Sequence, residues 1–214
     1  PLAARSVTFH VTAGVRYVVD TLRIDGLSVL PLKTAREYFQ PDQGLFGGGA
    51  ARAYTPSRLN RAVDILRDEL RQRGYAEAQV RVAALDADDR TGKVSLVIAV
   101  MEGTRWDVAA LRFSGTESAG VALDFGRDFE RQPWSSLWQQ DVRERVRQTF
   151  YQAGFPDMTV TLSATAGAES AGVKPVEVTA AISPGLRVTV GQVRFVGNDR
   201  TQSPVLRRRI AATT

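Results

Sequence analysis

The sequence predicts an α+β protein built of tandem β-α-α-β-β repeats. Three observations carry that reading: two sets of glycines sharing the same spacings, a capped helix at the same place in each repeat, and paired alternating strands that close each repeat.

The glycines come first because they set the period. The segments HVTAGVRYVVDTLRIDG, AVMEGTRWDVAALRFSG and AISPGLRVTVGQVRFVGN each run apolar strand, Gly, Arg, second apolar strand, Gly. Gly14, Gly103 and Gly185 are separated by 89 and then 82 residues, and so are Gly26, Gly115 and Gly197. Two independent markers with the same pair of spacings define a repeat. The expected division is the end of a preceding repeat at 1–14, complete repeats at 15–103 and 104–185, and the start of a following one at 186–214.

The helices follow from their punctuation. Leu32, Ala35 and Phe39 suit a short helix beginning no earlier than Pro31. Thr55 before Pro56 reads as N-cap and N1 of a longer one, in which Leu59, Ala62, Val63, Leu66 and Leu70 recur at helical spacing until Gly74. In the second repeat Ser135 or Ser136 caps a helix carrying Trp138, Val142, Val146 and Phe150, which stops at Gly154. Gly74-Tyr75 and Gly154-Phe155 therefore correspond, each a C-terminal glycine followed by an aromatic that folds back on its helix. No first helix is legible in residues 116–134.

Two strands close each repeat. Val80, Val82 and Ala84 alternate with polar residues, and a loop from Asp86 to Gly92 leads to Val94, Leu96, Ile98 and Val100. Met158, Val160, Leu162 and Ala164 alternate in the same way, followed by Val176, Val178, Ala180 and Ile182. Period two means that one sheet face is buried and the other meets water or a partner. Val7, Phe9 and Val11 suit the last strand of an earlier repeat, and Val193 and Phe195 the first strand of a later one.

Composition excludes several functions. The formal charge of +5 invites a nucleic-acid reading, yet residues 15–103 carry 13 basic against 12 acidic side chains and residues 104–185 carry 8 against 10. The excess sits in residues 186–214, with 6 basic against 1 acidic, where Arg207, Arg208 and Arg209 read as the solvated face of a helix. No basic stripe crosses a folded repeat, so nucleic acid is not an expected partner. With no cysteine and a single histidine, His10, on the outward phase of its strand, neither a thiolate nucleophile nor a metal centre is expected. Gly44-Leu45-Phe46-Gly47-Gly48-Gly49 follows a helix-like segment and lacks the Lys-Ser/Thr of a phosphate-binding loop. Asp86, Asp88 and Asp89 lack the Gly and terminal Glu of a calcium loop and read as a solvated turn. Trp106, Trp134 and Trp138 read as packing residues rather than a ligand platform. No catalytic, cofactor-binding or metal-binding residue is expected. No run approaches the ~18 apolar residues of a membrane span. The first residues, PLAARSVTF, lack the layout of a secretory signal and read as a chain cut from a longer one.

A strand ending in Gly, a helix ending in Gly-Tyr or Gly-Phe, a hairpin ending in Glu-Gly or Pro-Gly, and an immediate next strand: this order resembles the POTRA (polypeptide-transport-associated) domains of outer-membrane assembly and secretion proteins. The resemblance implies a small three-stranded mixed sheet with two helices on one face. It also implies a periplasmic scaffold, part of an outer-membrane protein, that binds unfolded outer-membrane or secreted polypeptides. Accessory lipoproteins or an inner-membrane partner are further partners it implies, and a POTRA-like interaction domain of another envelope complex, such as one for cell division, is the alternative. In such domains a client strand adds to an open sheet edge. The candidates here are Gln79, Val80, Arg81, Val82 and Ala83, and their counterparts Thr159, Val160, Thr161, Leu162 and Ser163. The joint between repeats falls at Gly103, Thr104, Arg105 and Trp106.

Overall fold

A computed structural model describes residues 7–11, 14–40, 53–197 and 202–211. The chain folds as two successive units of one topology, and each builds its own core.

The first unit runs β1 (Val18–Asp25), α1 (Leu32–Phe39), α2 (Pro56–Gln72), β2 (Gln79–Asp88) and β3 (Lys93–Met101). The second runs β4 (Arg105–Ser114), a 3₁₀ turn (Gly126–Phe129), α3 (Ser136–Gln152), β5 (Thr159–Ala166) and β6 (Val173–Ser183). In both sheets the closing strand is central: the orders are β1-β3-β2 and β4-β6-β5. The first strand pairs with it in parallel and the middle strand antiparallel, which makes each sheet mixed.

The long helices form where caps and periodicity put them. Thr55 Oγ1 accepts from Arg58 N at 3.2 Å and Ser135 Oγ from Trp138 N at 3.1 Å, each satisfying a donor of the helix's first turn. Such a cap contributes about 1 kcal/mol. One stripe of α2 (Leu59, Ala62, Leu66, Leu70) packs on Val80, Val94, Leu96, Ile98 and Val100. Its equivalent on α3 (Trp138, Val142, Val146, Phe150) packs on Val176, Val178, Ala180 and Ile182. No residue belongs to both cores. Both helices end alike. Gly74 N donates to Arg71 O and Tyr75 N to Leu70 O, and Gly154 N donates to Tyr151 O and Phe155 N to Phe150 O. The glycines hold φ of +95° and +91°, the left-handed region that this bond pattern requires.

Three features refine the sequence expectation. The second unit lacks a first helix in the sense of α1, as residues 116–134 indicated and unlike the two helices per repeat that the resemblance implied. Its 3₁₀ turn instead brings Phe125 and Phe129 over the sheet in a chain of ring contacts from Phe113 to Trp138. The alternation of β2 breaks at Ala83, an extra residue opposite β3, so Leu85 rather than Ala84 faces the same side as its partner Leu96. Strand β2 also runs through Asp86 to Asp88, which shortens the loop. Asp88 Oδ1 there accepts from Arg90 N at 2.8 Å and Oδ2 from the Thr91 hydroxyl at 2.7 Å, bonds that lower its pKa. The acidic cluster is a turn.

Val7, Phe9 and Val11 lie exposed outside any strand, and residues 186–197 also carry no strand. Arg207, Arg208 and Arg209 are exposed on α4 (Ser203–Ala211). Among the described residues no helix is long and apolar enough to cross a membrane.

Glu102 accounts for part of the difference between units. Its carboxylate accepts from Ser28 N at 2.6 Å, Val29 N at 2.8 Å and the Ser28 hydroxyl at 2.6 Å, pinning the link that enters α1. The corresponding residue of the second unit is Pro184, which offers no such acceptor. Burial pushes the Glu102 carboxyl up, but the three hydrogen bonds outweigh it and hold the group below its ordinary 4.5. A depressed folded-state pKa contributes stability above the unfolded value, and that stability is lost as pH falls through the folded one. Glu102→Ala should therefore cost roughly 1 kcal/mol at neutral pH, after allowance for solvent screening, in urea titrations. The gap from the parent should close in acid.

Gly26 and Gly115, at φ of +81° and +82°, test the repeat directly: a Cβ on either would collide with the carbonyl of Val100 or Ile182. Alanine at each should cost at least about 2 kcal/mol by the same measurement.

Candidate functional site

Two kinds of place came out of the sequence, the edge strands and the joint. The structure puts Gln79, Val80, Arg81, Val82 and Ala83 on β2, and Thr159, Val160, Thr161, Leu162 and Ser163 on β5. Among the described residues each strand is hydrogen-bonded on one side only. In β2, Val80 is buried, Val82 half-buried, and Gln79, Arg81 and Ala83 exposed. In β5, Val160 and Leu162 are half-buried against the second core, while Thr159, Thr161 and Ser163 point to solvent.

The opposite edges are not equally free. Beside β1, Tyr54 N donates to Tyr17 O at 2.9 Å and Ala53 bridges Val18. Beside β4 the chain before α3 runs as a false strand. Arg131 N donates to Val108 O, Val108 N to Gln132 O and Trp134 N to Trp106 O, at 2.8 to 2.9 Å. Backbone donors and acceptors that would template another chain are thereby satisfied.

The joint is more elaborate than its two-residue step implied. Met101 ends β3 and Arg105 begins β4, with Gly103 at φ +74° turning the chain beside Glu77. Trp106 N donates to Gly74 O at 2.8 Å, so the helix-ending glycine of one unit holds the first strand of the next. Lys174 of the second unit stands 4.7 Å from the centre of the Trp106 ring and 3.7 Å from a Glu77 carboxylate oxygen. Arg105 pairs with Asp107 at 2.9 Å, and the Thr104 hydroxyl donates to Glu169 at 2.9 Å. Gln72, at the end of α2, reaches the start of α3: its Nε2 donates to Ser136 Oγ at 2.7 Å and its Oε1 accepts from Leu137 N at 3.2 Å. Sequence reasoning missed Gln72, on a helix end, and Lys174, on a strand, because a polar residue carries no sign of a partner in the neighbouring unit. Similar contacts follow the second unit. Val188 N donates to Gly154 O at 2.7 Å, and Gly185 at φ +73° lies beside Asp157.

With the architecture in place, comparison with known proteins is informative. Residues 17–103 match the POTRA family model, described as a surface antigen variable number repeat. The second unit repeats the topology of the first, including the glycine positions and a bulge in its first strand. The chain is similar in fold to BamA from Haemophilus ducreyi lacking POTRA domains 1-3, at 19% identity and a TM-score of 0.50, covering 78% of this chain and 29% of that one. It also matches Haemophilus influenzae BamA POTRA3-5, at 23% identity and a TM-score of 0.49, over 90% of this chain and 76% of that one. The chain thus spans less than a third of the H. ducreyi protein. Among the described residues no group of three or more His, Cys, Asp or Glu side chains is placed to hold a metal, and His10 is exposed. The glycine-rich stretch at 44–49 lies outside the described residues.

Gln72 and Lys174 bridge the two units, while neither lies in a hydrophobic core. Gln72→Ala combined with Lys174→Ala should leave the circular dichroism spectrum unchanged. Spin labels at Arg61 and Gln140 should then report a broader distance distribution by pulsed electron resonance than in the parent.

Proposed function

We propose that this chain is part of the periplasmic arm of an outer-membrane β-barrel assembly or secretion protein, and that it holds unfolded outer-membrane or secreted polypeptides by adding their extended backbone to β2 and β5. The observation that carries this reading is the strand order. In both units the middle strand lies at an edge, paired on one side only. The opposite edge is covered wholly or in part by the unit's own chain. An edge strand reads a client through main-chain hydrogen bonds, with a side-chain preference only at alternate positions. That suits clients that share an extended conformation and little sequence.

Residues 104–185 are on this reading a complete second repeat, with 1–14 and 186–214 belonging to neighbours. The Gly154–Val188 bond supports the second assignment, since it reproduces the Gly74–Trp106 bond at the same offset from the joint glycine. Accessory lipoproteins or an inner-membrane partner would use the same edges or the outer sheet faces.

A photo-crosslinking residue placed singly at Arg81, Thr161, Arg71 and Glu144 tests the mode of binding, all four positions being exposed. Urea-denatured outer-membrane protein diluted into the sample should crosslink from the strand positions several-fold more than from the helices. Equal yields from Arg71 and Glu144 would mean that the client is held elsewhere.

A further inference from the structure

Sheet edges in soluble proteins are guarded by bulges, charged side chains or covering segments, because an unguarded edge pairs with whatever strand it meets. Three of the four edges here carry such devices. Strand β1 has an extra residue at Asp20, bears Asp20, Arg23 and Asp25, and has its start covered by Ala53 and Tyr54. Strand β2 is broken by the bulge at Ala83 and bears Arg81, Asp86 and Asp88. Strand β4 is covered by residues 131–134.

Strand β5 has none of them. Its sequence TVTLSATA contains no charge, and its register with β6 runs unbroken from Thr159 opposite Ser183 to Ala166 opposite Val176. Among the described residues no other segment bonds its outer edge. The contrast is sharpest against β2, the equivalent strand of the first unit, which has the same place in the sheet and a different surface.

We infer that β5 is the strand-accepting edge of this chain, and that its occupant is an uncharged extended segment of a client in which apolar side chains alternate with small polar ones. The inference rests on the strand-addition reading above and narrows it to one edge. The occupant follows from the two faces of β5. Val160 and Leu162 are half-buried on the helix-covered face, so a strand laid alongside extends the second core with its own apolar residues. Thr159, Thr161 and Ser163 face water and match a polar phase. A charge opposite this edge would find no partner on β5, whereas β2 offers Arg81, Asp86 and Asp88. Alternating uncharged segments of about ten residues are what the strands of an outer-membrane barrel supply before they fold.

The test uses the whole chain, labelled with nitrogen-15, and a peptide of about ten residues alternating Val and Thr with a Lys at each end. Peptide binding should move the amide signals of Thr159–Ala166 and leave those of Gln79–Asp88 in place. Thr161→Lys with Ser163→Lys, both at exposed positions, should weaken binding about tenfold, while Ala84→Lys in β2 should leave it unchanged. Signals moving at Gln79–Asp88, with binding lost in Ala84→Lys, would overturn the choice of β5 and keep strand addition. Signals moving only on α2 and α3 would overturn both. A β5-centred dimer forming without peptide, seen as concentration-dependent shifts at Thr159–Ala166, would make a second copy the occupant and overturn the client assignment.

Discussion

The carbonyl of a helix-ending glycine holds this molecule together at two levels. Gly74 and Gly154 adopt a conformation that other residues enter only with strain, and by doing so they close the last turn of α2 and α3. The same geometry leaves each glycine oxygen facing out of its unit, where it accepts the N–H of Trp106 or Val188. A Cβ on Gly74 would come within 2.8 Å of Trp106 O, so the approach itself depends on glycine. Ending a helix and seating the chain that follows the unit are therefore a single requirement on one residue.

Around that shared frame the units are finished differently. The first covers its sheet with α1, whose entry is pinned by Glu102, and adds Leu30, Ala35 and Phe39 to the core. The second has a shorter link, 19 residues at 116–134 against 28 at 27–54, and fills the space with rings. Phe125 packs on Phe113 and Phe129, and Phe129 on Trp138, whose indole N–H donates to Phe129 O at 2.9 Å. Arg145 covers Phe125 from the other side at 5.5 Å. Aromatics bury enough area each to replace a two-turn helix with a single turn. The shorter link also frees residues 131–134 to line β4, a service that no segment among the described residues performs along the whole of β1.

Much of this was legible in the sequence, for identifiable reasons. α2 and α3 announce themselves through a cap, a 3.6-residue apolar stripe and a terminal glycine, three local signals that agree. The closing strands are apolar enough to be central, and both are. The bulge at Ala83 was hidden because Val-Ala-Ala-Leu permits either phase; pairing with Leu96 decides it, and pairing is not local. The candidate edge residues were placed on their strands by order alone, but the guarding of the other edges came from backbone bonds that composition does not encode. The clamp of Gln72 on α3 and the pairing of Lys174 with Glu77 arise only once the units are side by side. Val7, Phe9 and Val11 alternate as a strand should, yet alternation specifies a face and not a neighbour, and no strand lies beside them among the described residues.

The bond from a helix-ending glycine to the chain that follows its unit has an implication for unfolding. The first unit supplies an acceptor at its helix end and draws on a donor in the second, so the free energy of a tandem contains a nearest-neighbour term besides the intrinsic stability of each member. Such a system behaves as a one-dimensional cooperative lattice. Melting one unit strips an interaction from both flanks, end units lack one of their two couplings and fray first, and a mutation in one joint is felt as lost cooperativity along the array.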